Sequence, residues 1–284
     1  AQQHEINIRY SALLARAEQR SAEASIDSLL ELYVTRILLA RDESKRQMTL
    51  DMALSAVELD DRDNSQVRGA AEIFMHDELK IPYYFGLDRL CVMASANIEE
   101  LLSLAAALYV GMQNKQVLRK PELTLTPLEQ EKLLKDAAKR KREFIPKSHT
   151  EGLRAQRLLD SVGVFCREKT FAPNAPYAPG VTGVRLSQSE LHKLGSATKA
   201  LTEKSTLLIR VLAECAAENL LLAKPSAAST SRESGTVFYL NRTLCAHYDL
   251  PLQQGGWQDV TATEMIDWME RGLVPIRRRR LEMN

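Results

Sequence analysis

"APNAPYAPGVTGVRL", residues 172–186, sets three of the chain's ten prolines and two of its twelve glycines together in a sequence that otherwise reads largely as helix. Proline lacks a backbone donor and fixes φ, so the helix that ends near Glu168 cannot continue through it. Two readings of the connector stay open. One is an irregular loop between two short strands, forming a wing after a pair of helices; the other is a stiff, extended interdomain tether. The alternation in "GVTGVRL" predicts a short strand on its far side. Its glycines lack the GxxxxGK[ST] spacing of a phosphate-binding loop.

Upstream of the connector the apolar spacing is helical. Leu29, Leu30, Leu32, Tyr33, Ile37 and Leu38 belong to one of two long amphipathic helices expected in the first sixty residues. Asp63, Asn64 and Ser65 are good N-cap types for a helix beginning near Gln66. Further helices are expected over Leu87–Met93 and from Ile98 through Tyr109, the second capped by Asn97 with Glu99 and Glu100 at the favourable end of its dipole. Thr126, Pro127 and Glu129 mark a strong helix start. That helix is expected to reach about Phe144 and to stop before Pro146. A second helix follows, with Leu153, Leu158, Leu159, Val162 and Phe165 on its apolar spacing.

A second cycle lies beyond the connector. Ser187 and Glu190 form a capping-box pattern. A long helix is expected from about Thr206 to Leu222, then a small, hydroxylated loop and the strand-like "TVFYLNRTL". The last helix carries Thr263 as a cap, a buried Trp268 and Gly272 as a stop. The fold class read from this pattern is mainly α: a helical lid-like bundle followed by winged-helix-like modules with short β wings. The domains are residues 1–118, helical; 119–186, a first winged-helix-like module; and 187–284, a second with a basic tail.

Net charge is only +1, so the distribution matters more than the sum. Asp51 to Lys80 holds eight acidic and three basic residues, whereas Lys132 to Arg157 holds nine basic and three acidic ones, and Arg277 to Arg280 form a basic tail. A helix pair with basic and amide side chains on its polar side is the pattern of a helix-turn-helix unit. In that reading Arg154, Gln156 and Arg157 reach base edges, and Lys139, Arg140, Lys141, Arg142 and Lys147 sit on phosphates. Cations near a helix C-terminus also simply match its dipole.

No Walker, GxGxxG, HExxH, GxSxG or kinase pattern occurs, and the five histidines are scattered, so the chain alone is not expected to be an enzyme. His76, Asp77 and Glu78 are the one local cluster of ligand types. The four cysteines show no CxxC pair, which makes them buried thiols and not a zinc site or a disulfide framework. No apolar run of eighteen residues and no secretory leader is present, so a cytoplasmic protein without membrane contact is expected.

The segments "GLDRLCVMASANIEELLSLAAAL", "LRAQRLLDSVG", "NAPYAPGVTGVRL" and "FYLNRTLCAHYDLPLQQGGW" together resemble the C-terminal part of large bacterial AAA-type ATPases related to the origin-recognition ATPases, several of them linked to mobile elements and phage defence. The resemblance covers about residues 70 to 270. It implies a helical lid and winged-helix modules that engage double-stranded DNA, other subunits or an upstream ATPase core, in an oligomer. It also implies ATP and magnesium as cofactors of a full-length protein, with none held by this chain, which lacks the nucleotide-binding core. One departure stands out. Where such a lid carries a nucleotide-sensing arginine, this sequence has Asn97, Ile98 and Glu99, and a carboxylate cannot stabilise a γ-phosphate. Arg89, one or two turns earlier, is the substitute sensor, or the lid senses no nucleotide directly. The alternative is a helical protein-docking subunit that touches no nucleic acid.

Overall fold

A computed structural model describes residues 25–49, 65–172, 180–195, 199–228, 233–254 and 256–273. Asp63, Asn64, most of the proline connector and the arginine tail lie outside the described residues. The described chain is mainly helical, with ten helices and one small sheet.

It divides into two units. The first comprises residues 1–83 with 170–180, and the second residues 84–169 with 181–284. In the first unit, α1 (Ile26–Thr49) packs against α2 (Ser65–Leu79), burying Val34, Ile37 and Leu38 together with Ala70, Ala71 and Ile73. Phe171 lies edge-on to Phe74 at 5.4 Å between centroids, so the start of the connector belongs to this unit.

The second unit begins with α3 (Leu87–Met93) and α4 (Ile98–Val117). Asn97 caps α4 as expected, its side chain accepting from the backbone amides of Glu99 and Glu100. The basic pair follows as α5 (Pro127–Ser148) and α6 (Gly152–Thr170). Thr126 and Glu129 close a full capping box on α5, and Lys115 reinforces it at 2.6 Å from Glu129. Lys115, more than any other group, holds the Glu129 carboxyl down to a pKa of about 2.

Next come β1 (Val181–Ser187), α7 (Gln188–Gly195), α8 (Lys199–Ala217), β2 (Leu221–Ser226), β3 (Gly235–Leu240), α9 (Arg242–His247), β4 (Gly256–Asp259) and α10 (Ala262–Arg271). The four strands form a single sheet in the order β2-β3-β1-β4. β3 runs antiparallel to both β1 and β2, with Phe238 opposite Val184 and Ala223, while β1 and β4 are parallel. The strand predicted after the connector is therefore an inner strand of this sheet. The core gathers Leu134 and Ala138 of α5, Leu158, Leu159 and Val162 of α6, Leu208 and Val211 of α8, and Met265 and Met269 of α10. Tyr84, fully buried, donates to the Leu250 carbonyl at 2.6 Å.

Local signals misplaced three features. α8 ends at Ala217, and Leu221 and Leu222 belong to β2 instead of its last turn. Ser187 accepts from the Glu190 amide at 3.3 Å, but the Glu190 carboxylate turns to Lys193 and the Ala262 amide, so only half of that capping box forms. The cap of α10 is Thr261, boxed with Glu264, and not Thr263. Trp268 is buried and the helix stops at Gly272, whose φ of 76° suits glycine.

Candidate functional site

The basic helices α5 and α6 meet through a device that propensity does not foresee. α5 continues through Pro146 to Ser148, four residues past the expected end near Phe144. Proline at 146 leaves the Arg142 carbonyl without its i+4 donor. Gln156 of α6 supplies that donor, its Nε2 lying 3.1 Å from the Arg142 oxygen. Glycine at 152 lets the start of α6 come this close, since a Cβ there would lie 2.5 Å from the Ile145 carbonyl oxygen.

The polar side of α6 faces its own unit. Arg154 pairs with Glu151 at 2.7 Å and with Glu270 of α10 at 3.3 Å, and these carboxylates, Glu151 first, raise its pKa. Arg157 donates to the Glu270 carbonyl at 3.0 Å. The amides of Thr150 and Glu151, just ahead of α6, donate to the Glu214 carboxylate of α8 at 2.8 and 3.3 Å. That end of a recognition helix is the one that reaches base edges in a groove. Here carboxylates cover it.

On α5, Arg142 grips Asp160 through two hydrogen bonds of 2.7 and 2.5 Å, and Tyr248 donates to the same carboxylate. The pairing raises the Arg142 pKa, and burial followed by the Asp160 charge raises that of Tyr248. Lys141 binds both oxygens of Glu100 at 2.6 and 2.7 Å. Lys139 lies 3.9 Å from Glu143 one turn on. Arg140 and Lys147 remain exposed. Of the eight residues assigned to nucleic acid, six have partners within the unit, but Lys139 holds Glu143 only loosely and Arg157 meets a neutral carbonyl, so with Arg140 and Lys147 four cations are exposed.

Glu100 is the more informative carboxylate. It is buried in the first turn of α4, where Lys141, Asn241 at 3.2 Å and Asn219 at 3.5 Å surround it. It forms part of the wall of a cavity of about 540 Å³ that Glu99, Arg140, Phe144, His149 and Glu218 also line. The cavity mixes both signs of charge with one aromatic face. Sequence reading explained Glu99 and Glu100 by helix capping alone; the buried network around Glu100 depends on α5 and α9 and left no local trace.

Topology places a different helix ahead of the hairpin. β1, α7, α8 and the β2–β3 hairpin follow in sequence, and β1 pairs with β3. That is a winged-helix-like order in which α8, not α6, precedes the wing. The outer face of α8 carries Glu203, Lys204, Ile209 and Arg210, and Glu218 lies just beyond its end. Arg210 lies 3.7 Å from Glu151. Over its whole length α8 sets Lys199, Lys204 and Arg210 against Glu203 and Glu214, a net charge of only +1.

α4 differs from every neighbour. Leu104 and Gly111 are buried on one side, where α4 packs on α5. On the opposite side Ile98 is 68%, Leu102 63% and Tyr109 60% exposed, with Met112 beside them. A helix apolar on both faces is built to be covered on both.

The family described as ORC-CDC6-like matches residues 8–257. The chain belongs to this family. It is therefore related to the origin-recognition and CDC6 ATPases of the AAA type. None of the curated proteins and none of the solved structures matched it significantly.

In this ORC-CDC6-like chain Arg89 is half-buried on α3 and does not line the cavity. Among the described residues no group of three His, Cys, Asp or Glu side chains could hold a metal ion. Glu78 of the His76 cluster accepts from Tyr33 at 2.7 Å and Arg36 at 2.8 Å, and His76 is bonded to the Ile81 carbonyl. Cys166, Cys215 and Cys245 are buried, and burial holds their thiols protonated, the last two with pKa values of about 12. No described helix is long and apolar enough to cross a membrane.

Proposed function

We propose that this chain is the non-catalytic, partner-engaging part of an AAA-type ATPase, a lid-and-winged-helix region that docks protein through α4, while nucleotide hydrolysis belongs to an ATP-binding core outside these 284 residues. The observation that carries this reading is the second apolar face of α4, solvated at Ile98, Leu102 and Tyr109 although the opposite face is buried on α5. Apolar side chains exposed side by side along one helix face, in contrast to single scattered ones, mark an interaction site. Two further observations support it. Duplex DNA is held by cations free to replace counterions, and Arg154 of α6 is paired with Glu151 and Glu270, leaving Arg157 exposed on a carbonyl. α8, the helix ahead of the β2–β3 hairpin, carries a net charge of only +1.

Benzoylphenylalanine installed in place of Leu102 or of Leu153, both exposed, tests the reading in cells that make the intact protein. Crosslinks to protein from position 102, with none above background from 153, are the expected result. Equal labelling at the two positions, or none at 102, would overturn it.

A second reading rests on Arg140 and Lys147, which are exposed one face along α5. It assigns them to phosphates, as weak contacts without sequence preference. A protein neutralising two phosphates gives a log–log salt slope of about −2, and fluorescence anisotropy with duplex DNA across a salt series measures it.

A further inference from the structure

The open face of α4 has a regular geometry. Ile98, Leu102, Ala105, Tyr109, Met112 and Gln116 follow one another at intervals of four, three, four, three and four. That is the 3,4 spacing that keeps a seam against one partner helix. Glu100, Leu104 and Gly111, the buried residues of α4, stand on the opposite side. The stripe runs for most of the helix, about 27 Å at 1.5 Å per residue.

Resting on the reading of α4 as a docking face, we propose that its occupant is α4 of a second copy of this chain, paired antiparallel. Two-fold pairing needs a patch complementary to itself. Run antiparallel, this stripe meets that condition layer by layer. Ile98 faces Gln116, Leu102 faces Met112, and the small Ala105 faces the large Tyr109. Charge fixes the direction. Glu99 is exposed at the start of α4, and Arg119 and Lys120 are exposed just past its end. Antiparallel pairing brings these opposite charges together, whereas parallel pairing sets Glu99 against its own copy. The helix dipoles favour the same direction. A stripe of six side chains on one helix offers less surface than the roughly 800 Å² per partner of a standard interface. The dimer is therefore weak and concentration-dependent.

Sedimentation velocity on the intact 284-residue chain over about two decades of concentration tests the proposal, with melting temperature as the folding control. The wild type shifts from monomer to dimer. Leu102→Glu weakens that shift at least about tenfold, with its melting temperature unchanged at concentrations where both chains are monomeric. Glu99→Lys also weakens it, and adding Arg119→Glu and Lys120→Glu restores it, as only antiparallel pairing allows. A wild type that stays monomeric, or a dimer indifferent to Leu102→Glu, overturns the proposal. Should the chain be monomeric while a crosslinker at position 102 still captures another protein, self-pairing falls and the docking reading stands; without either, both fall.

Discussion

α4 and α6 pack into the same unit and carry opposite messages. In sequence α6 is the helix that invites a function, with Arg154, Gln156 and Arg157 along its polar side, while α4 reads only as a helix capped by Asn97. In the fold, Glu151, Glu270 and the carbonyls of Arg142 and Glu270 take up the polar groups of α6. α4 leaves its second apolar face in solvent. A count of cations measures what a chain could offer, and only the positions of its carboxylates say what is still on offer.

The sharpest way to break this contrast is to cut both helices alike. Leu158→Ala, on the buried side of α6, should cost about 3 kcal/mol, and Leu102→Ala, on the open side of α4, less than about 0.5 kcal/mol. Urea denaturation of the intact chain measures both, and similar losses would mean that the α4 face is already covered. Arg142→Ala should cost about 2 kcal/mol, because it removes a two-pronged charged hydrogen bond from Asp160. DNA affinity at low salt should stay unchanged in that variant; a drop in affinity without a drop in stability would return Arg142 to the phosphate backbone.

Gln156→Ala should cost about 1 kcal/mol by leaving the Arg142 carbonyl unmatched. In a Pro146→Ala background the helix regains its own donor at that carbonyl, and the cost should shrink to a few tenths. Such a double-mutant cycle sharpens the claim that Gln156 is structural.

The smallest effect is a pH dependence. Burial, aided by the Arg142 charge, lowers the pKa of His247 below 6.5. The unfolded chain therefore binds a proton at higher pH than the folded one, and stability falls as pH drops below 6.5. His247→Gln should flatten the melting temperature between pH 6.5 and 5, whereas a stability that rises on acidification would reverse the assignment.

What the sequence made legible was what short-range chemistry decides. α3 falls on Leu87–Met93 as read, Asn97 caps α4, and Thr126 with Glu129 boxes α5, since each signal lies within a turn of its effect. Pro146 misled because its missing hydrogen bond is answered from another helix. The end of α8 was overrun because Leu221 and Leu222 suit a helix and a strand alike, and β3 settles the matter from across the hairpin. That α8, and not α6, directly precedes the β2–β3 hairpin had a related cause: the order depends on which strand β1 pairs with, and that partner lies beyond any local window. The candidate site was legible in its residues and illegible in their accessibility. The cations of α5 and α6 could be named from spacing, but Asp160, Glu100 and Glu270 gave no sign that they would meet them.

The sheet order carries a consequence for synthesis on the ribosome. β1 is complete at Ser187, yet the strands on its two sides begin only at Gly235 and Gly256. During that interval a nascent chain presents both edges of an apolar strand bare, open to pairing with any neighbouring polypeptide. That interval is a stage of synthesis at which this unit is exposed to aggregation through its unpaired strand edges.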